Sequence, residues 1–260
     1  MIARARPGGH VLMTHAHHAA LTTRLLGCWG AGAFAPPPPA LLRAATLHEE
    51  ALREDDTRPR LDPGTRLPRD YRAIPWDEHL ALWRGAAARL ARDPAAALLV
   101  SRHGTWIFRR YEAPPATPGA RDALAAYLTE ERALQRALAG RARAAGEAWA
   151  TPGELRAASA LLAAADRISA HLCFGEAPSH DWPAPDCDLG TPLRLERTGP
   201  ETWALDPWPL RRGQLRLRGE GRLLEGLAPS QGWLDARWKG LPLVRWTMAL
   251  RPARGPDGGP

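Results

Sequence analysis

Thr151-Pro152-Gly153-Glu154-Leu155-Arg156-Ala157-Ala158-Ser159-Ala160-Leu161-Leu162-Ala163-Ala164-Ala165-Asp166-Arg167-Ile168-Ser169-Ala170-His171-Leu172-Cys173-Phe174-Gly175 is the stretch that carries the clearest local instructions. Thr151 and Glu154 are spaced as a capping box, with proline at the first helical position, where its missing N–H costs nothing. The pattern predicts a helix running to about Phe174 and stopped by Gly175. At 100° per residue, Leu155, Leu162, Asp166, Ser169 and Cys173 share one stripe, and His171 projects from the opposite, exposed side. A carboxylate on an apolar stripe costs several kcal/mol unless it is paired, protonated or bound to a cation. Asp166 is therefore the residue from which to search for chemistry.

Working outward toward the N-terminus, Arg121–Ala148 reads as a long helix, with Leu124, Tyr127, Leu128, Leu134 and Leu138 on one stripe and Gly140 as its weak point. Tyr111–Gly119 reads as a proline-rich loop. Asp93-Pro94 opens a helix ending near Gly104, and another covers Asp77–Arg92. Glu54–Pro75 is a loop, Ala40–Arg53 a helix, and Pro36–Pro39 a stiff break. Thr14 caps a helix that runs to about Trp29 and ends at Gly30. Met1–Arg6 and His10–Met13 flank Pro7-Gly8-Gly9 as a β-hairpin. Past Pro178 prolines and glycines multiply, and runs such as Leu215-Arg216-Leu217-Arg218 and Leu243-Val244-Arg245-Trp246 alternate as strands do. The reading is mainly α: a helical body over residues 1–178 with an N-terminal hairpin, a small β-rich portion over 179–250, and a flexible tail over 251–260.

The same helical arithmetic turns further metal-ligand types inward. His18 lies within the stripe of Leu21, Leu25 and Trp29, with His17 at its edge. His48 shares a face with Leu41, Ala45 and Leu52, and Glu49 is beside it. His103 shares a face with Ala96, Leu99 and Val100. One histidine on such a face is commonly a core imidazole bonded to a backbone carbonyl. Four helices each turning a ligand-type side chain inward are better explained by one shared site. Imidazole with carboxylate suits a divalent transition ion such as iron, manganese, nickel or zinc, which acidifies bound water.

Composition bounds the alternatives. The 260 residues are 45% hydrophobic and 24% charged, those of a globular chain. The net charge of +7 invites a nucleic-acid reading, but Lys239 is the only lysine among 35 basic residues and the arginines are spread evenly. The densest basic run, Arg211 to Arg222, lacks the interleaved aromatics of single-strand binders. No nucleic-acid partner is expected, and the eleven tryptophans read as packing anchors. Cys28, Cys173 and Cys187 are too few and too far apart for a disulfide framework or a zinc ribbon, which fits a reducing cytoplasm. No stretch approaches the ~18–20 apolar residues of a membrane span, and Met1–Thr14 has no apolar core of a secretory signal. There is no Walker loop, no G-x-G-x-x-G after a strand and no G-x-S-x-G. His180-Asp181 lies between prolines and reads as surface.

Several ordered stretches resemble the uncharacterised bacterial family of domain of unknown function 3891. Val11-Leu12-Met13-Thr14 through His18-Ala19-Ala20-Leu21 to Trp29-Gly30 is similar to its opening. Leu47 to Asp62 is similar to a pattern near HDxGWxxWxxxPxLD, and Asp93-Pro94 to His103 to DPYAALLVSxH. Asp166-Arg167-Ile168-Ser169 and Leu205-Asp206-Pro207-Trp208-Pro209-Leu210 match its later motifs. The order of His18, His48-Glu49, His103 and Asp166 also resembles the metal motif of the HD superfamily of helical phosphohydrolases. That second resemblance implies an HD-like helical bundle with His18, His48, Glu49 and Asp166 as metal ligands. It also implies that His103 is an additional ligand or an acid-base or phosphate-contacting group, and that the protein is a metal-dependent phosphohydrolase acting on a small molecule. The chain departs from these patterns at Glu49, where the HD motif has aspartate. It departs again at Ala51, Leu52 and Asp55, where the family has glycine and two tryptophans, and at His17, where aspartate is frequent. The departures leave open an iron oxygenase on the same scaffold and a non-catalytic binding or scaffold protein.

Overall fold

The computed structural model describes residues 1–110, 117–147, 151–176 and 192–253. Its strands are β1 (Ile2–Arg6), β2 (Gly9–Met13), β3 (Arg194–Gly199), β4 (Thr202–Asp206), β5 (Leu215–Glu225) and β6 (Leu243–Pro252). Its helices are α1 (His15–Gly27), α2 (Pro39–Leu47), α3 (Arg53–Thr57), α4 (Trp76–Trp83), α5 (Ala86–Arg89), α6 (Pro94–Arg110), α7 (Pro118–Ala144), α8 (Pro152–Phe174) and α9 (Gln231–Arg237). Pro178, His180-Asp181, Cys187, Trp149, most of the 111–119 loop and residues 254–260 lie outside the described residues.

The mainly α, HD-like bundle with a small β portion is not the fold. All six strands form one mixed sheet in the order β1-β2-β5-β6-β4-β3. The N-terminal hairpin joins strands from the far end of the chain, Val11 opposite Leu223 and Leu12 opposite Arg222. β4 and β6 run parallel while the other pairs run antiparallel. Glycine makes the long-range junction close. A Cβ on Gly221 would stand 2.6 Å from Val11 Cγ1 and 2.8 Å from the Leu12 carbonyl oxygen, so only a residue without one lets β2 pack this tightly on β5. Buried residues of the helices (Leu21, Leu25, Leu99, Leu162, Leu172) and of the sheet (Leu215, Leu217, Met248) belong to one hydrophobic core. The architecture is a mixed α and β fold, in which helices and sheet bury their apolar faces against each other.

Local readings held where the cap chemistry is complete. Thr151 accepts the Glu154 N–H while the Glu154 carboxylate accepts from Thr151, and α8 ends on Gly175 in the left-handed conformation. Thr14 caps α1 by accepting from the His17 N–H. The hairpin forms as read, and β5 and β6 include the two alternating runs.

Three helices differ from expectation. The Ala40–Arg53 helix is interrupted: α2 ends at Leu47, His48 is its C-cap, and Glu49 adopts φ −95°, ψ 16° before a single 3-10 turn, Glu50–Leu52, leads into α3. The Asp77–Arg92 helix is split at Gly85, whose φ of 84° suits glycine. α6 runs through Gly104 to Arg110 instead of stopping. There a Cβ would meet the Trp83 ring at 2.5 Å and the Tyr127 hydroxyl at 3.0 Å, so this glycine serves close packing and does not end the helix. α7 likewise passes through Gly140. Among the described residues no helix is long and apolar enough to cross a membrane.

Candidate metal centre

Four segments deliver the centre. α1 supplies His18, α8 supplies Asp166, the exit of α2 supplies His48 and Glu49, and α6 brings His103 alongside. The break after Leu47 matters here. On a continuous helix, neighbouring side chains diverge by about 100°. With the backbone turned at Glu49, both His48 and Glu49 reach the same point.

His18 Nε2 stands 2.7 Å from Asp166 Oδ1 and 3.5 Å from Glu49 Oε1. His48 Nε2 stands 3.2 Å from the same Asp166 oxygen and 3.6 Å from the same Glu49 oxygen. One ligand atom from each of these four residues lies within 4.8 Å of all the others, so the group could hold a metal ion. The histidines are buried, and the two carboxylate side chains are each 16% exposed.

The partners of the ring nitrogens sharpen this. His48 Nδ1–H donates to the Ala45 carbonyl at 2.6 Å. The Ser169 hydroxyl lies 3.3 Å from the His18 carbonyl and 3.0 Å from His18 Nδ1. Both rings thus have an Nδ1 partner that orients them with Nε2 toward the carboxylate oxygens. Two imidazole nitrogens and two carboxylate oxygens converging on one point are a donor set that suits a divalent cation. A partner on Nδ1 that orients the ring and selects the tautomer is the usual support of a metal-binding histidine. Burial works against an imidazolium at His18, but the hydrogen bond and charge of Asp166 hold its pKa well above the ordinary value. Burial would raise the Asp166 carboxyl, but hydrogen bonds from His18 and His48 hold it well below the usual range. A proton on His18 can satisfy one of these contacts; His48 still faces the same oxygen.

His103 sits one step back. Its Nε2 is 3.6 Å from Asp166 Oδ2, beyond hydrogen-bond length, and its Nδ1 is buried without a hydrogen-bond partner. Burial pushes its pKa down to about 4, so the ring is neutral near pH 7. It stacks on Trp106 and meets the His48 ring edge to face.

The centre opens into a cavity of about 60 Å³ walled by Leu52, Tyr71, His79, Trp83, Trp106 and Ile107. At roughly 10–15 Å³ per water, that is room for only a few waters. The helical stripes did not place His79, Trp83 or Trp106 there. Trp83 Nε1–H donates to His79 Nε2 at 3.0 Å, and the i, i+4 spacing of that pair was the available signal. Ser169 was legible as buried, but not as the group that orients His18. His171 is half-buried rather than exposed. Of the three departures near Glu49, Leu52 lines the cavity, whereas Asp55 pairs with Arg60 and Arg69 at 3.5 and 3.8 Å.

The family model described as Protein of unknown function (DUF3891) matches residues 1–226, and the chain belongs to that family. No curated protein and no solved structure matches the chain.

Proposed function

We propose that His18, His48, Glu49 and Asp166 bind one divalent transition ion (iron, manganese, nickel or zinc) and that the centre hydrolyses a phosphoester or related bond of a small molecule. The observation that carries the reading is the convergence of His18 Nε2 and His48 Nε2 on shared oxygens of Asp166 and Glu49, all within 4.8 Å. A bound divalent ion supplies an acidified water and neutralises charge on a phosphoryl oxygen. The chain does the rest. Ala45 and Ser169 meet Nδ1 of His48 and His18 and orient the two rings with Nε2 toward the centre. Leu52, Trp83, Trp106 and Ile107 wall the cavity with apolar surface that excludes water and strengthens electrostatics within it. His103, neutral and facing Asp166, takes up a proton at Nε2 as the general base. A reducing, cytoplasmic setting suits the free thiols of Cys28 and Cys173.

Elemental analysis of protein reconstituted with each of the four metals tests the centre, with about one ion per chain expected. Wild-type protein that takes up none of them overturns the reading. A panel of small phosphoesters assayed with metal-loaded wild type and His103→Ala tests the chemistry. Turnover should fall by roughly 10²–10⁴-fold in the variant while metal content is retained.

A further inference from the structure

α1 has a second edge that the metal centre does not use. His17, Ala20, Leu21 and Arg24 recur at i, i+3, i+4 and i+7 and so share a face. On β5, Arg216 and Arg218 share a face because strand side chains alternate. These six residues and Thr247 line a groove of about 580 Å³, within the roughly 300–1,000 Å³ of small-molecule sites. His17 pins the two walls together: its Nε2 lies 3.1 Å from both the Glu220 backbone nitrogen and the Arg218 carbonyl oxygen.

The groove is a concentration of uncompensated positive charge. Arg216 and Arg218 face Ala249 and Thr247 across the β5–β6 ladder, not acids. Glu220, the next residue on that face, is held by Arg245 at 2.6 Å. Elsewhere Arg4, Arg43, Arg60, Arg69 and Arg72 all have carboxylate partners. Among the described residues Arg24, Arg216 and Arg218 have none. Guanidinium forks match phosphoryl oxygens two at a time, so several together favour phosphate over single carboxylates.

We propose that this groove binds a small anion carrying two or more phosphoryl groups, at a site separate from the metal centre. Charge sets the number, since each phosphoryl group brings about −1.5 to −2 and two therefore balance three arginines. The lining has no phenylalanine, tyrosine or tryptophan on which a base could stack, which favours a small anion over a nucleic-acid strand.

Calorimetric titration of the full chain with inorganic pyrophosphate at low salt tests this. One saturable site is expected. It should weaken by about tenfold or more in Arg216→Gln/Arg218→Gln and measurably in Arg24→Gln. It should be unchanged in Arg132→Gln/Arg136→Gln, which removes the same charge from exposed positions on α7, and in His48→Ala. All these arginines are exposed, so thermal melts should match wild type. Absence of binding overturns the proposal. So does equal weakening in both arginine doubles, which would mean general charge attraction. Loss confined to His48→Ala would assign the anion to the metal centre. Tighter, arginine-dependent binding of a single-stranded oligonucleotide would make the groove a nucleic-acid surface instead.

Discussion

His15 and His18 stand one turn apart on α1, both buried, each against an aspartate, yet their surroundings differ. His15 turns Nδ1 to Asp56 Oδ1 at 2.9 Å and Nε2 to the amine of Met1 at 2.7 Å. Each ring nitrogen thus has one partner. Asp56 also accepts the backbone N–H groups of His15 and Ala16, both at 2.8 Å, as an anion seated on a helix N-terminus. His18 Nδ1 meets Ser169, and its Nε2 meets Asp166 Oδ1, an oxygen that His48 Nε2 also faces. The same two residue types thus make an isolated pair at one end of a turn and part of a four-residue cluster at the other. What separates them is how many further ligand-type side chains converge on the aspartate.

The largest expected effect breaks the second pair. His48→Ala or Asp166→Ala should abolish metal uptake by elemental analysis, weakening it by more than the ~10–100-fold typical of losing an outer partner, whereas Asp56→Asn should leave stoichiometry unchanged. Metal loss in Asp56→Asn as well would erase the distinction. Ser169→Ala should weaken metal binding by about 10–100-fold in competition titrations, because His18 would lose the Nδ1 partner that orients its ring.

Asp56→Asn should instead cost about 1–3 kcal/mol in urea unfolding near pH 7. Burial raises the Asp56 carboxyl, but the hydrogen bond and charge of His15 and hydrogen bonds from the helix N–H groups hold its folded pKa below the usual carboxylate value. Its stabilisation is therefore fully present above about pH 4 and is lost as pH falls through the lower folded value. The variant should show a shallower acid limb than wild type, and identical limbs would refute the assignment. The smallest effect is expected for Glu49→Asp. Glu49 is farther than Asp166 from either Nε2, at 3.5 and 3.6 Å against 2.7 and 3.2 Å, so its shortening should change metal affinity by less than about tenfold.

His18, His48, His103 and Asp166 were legible because each was read on a helical stripe whose period is written in nearby residues, with Glu49 read only as the neighbour of His48. Asp166 among Leu155, Leu162 and Ser169 is the plainest case. The continuous Ala40–Arg53 helix was misread because nothing in the local periodicity marks the turn at Glu49, which brings two adjacent side chains to one point. Gly104 was misread because glycine ends helices by its backbone freedom but also admits a neighbouring ring, here Trp83, and only the packing tells which applies. The sheet was misread as a hairpin and a separate β portion because strand pairing is a long-range event. Val11 and Leu223 are opposite each other across more than two hundred residues, and no period links them.

By itself, then, the sequence determined what local backbone chemistry can encode. That comprises the capping box and glycine stop of α8, the cap of α1, the N-terminal hairpin, the inward faces, and the residue types His18, His48, Glu49, His103 and Asp166. Tertiary structure alone decided which strands share a sheet, where α2 stops, and what each ring nitrogen faces. Caps and periods act over a few residues through hydrogen bonds the segment makes with itself. Strand partners and ring orientations depend on groups such as Ser169, Ala45 and β5, which reach their places only when distant segments pack together.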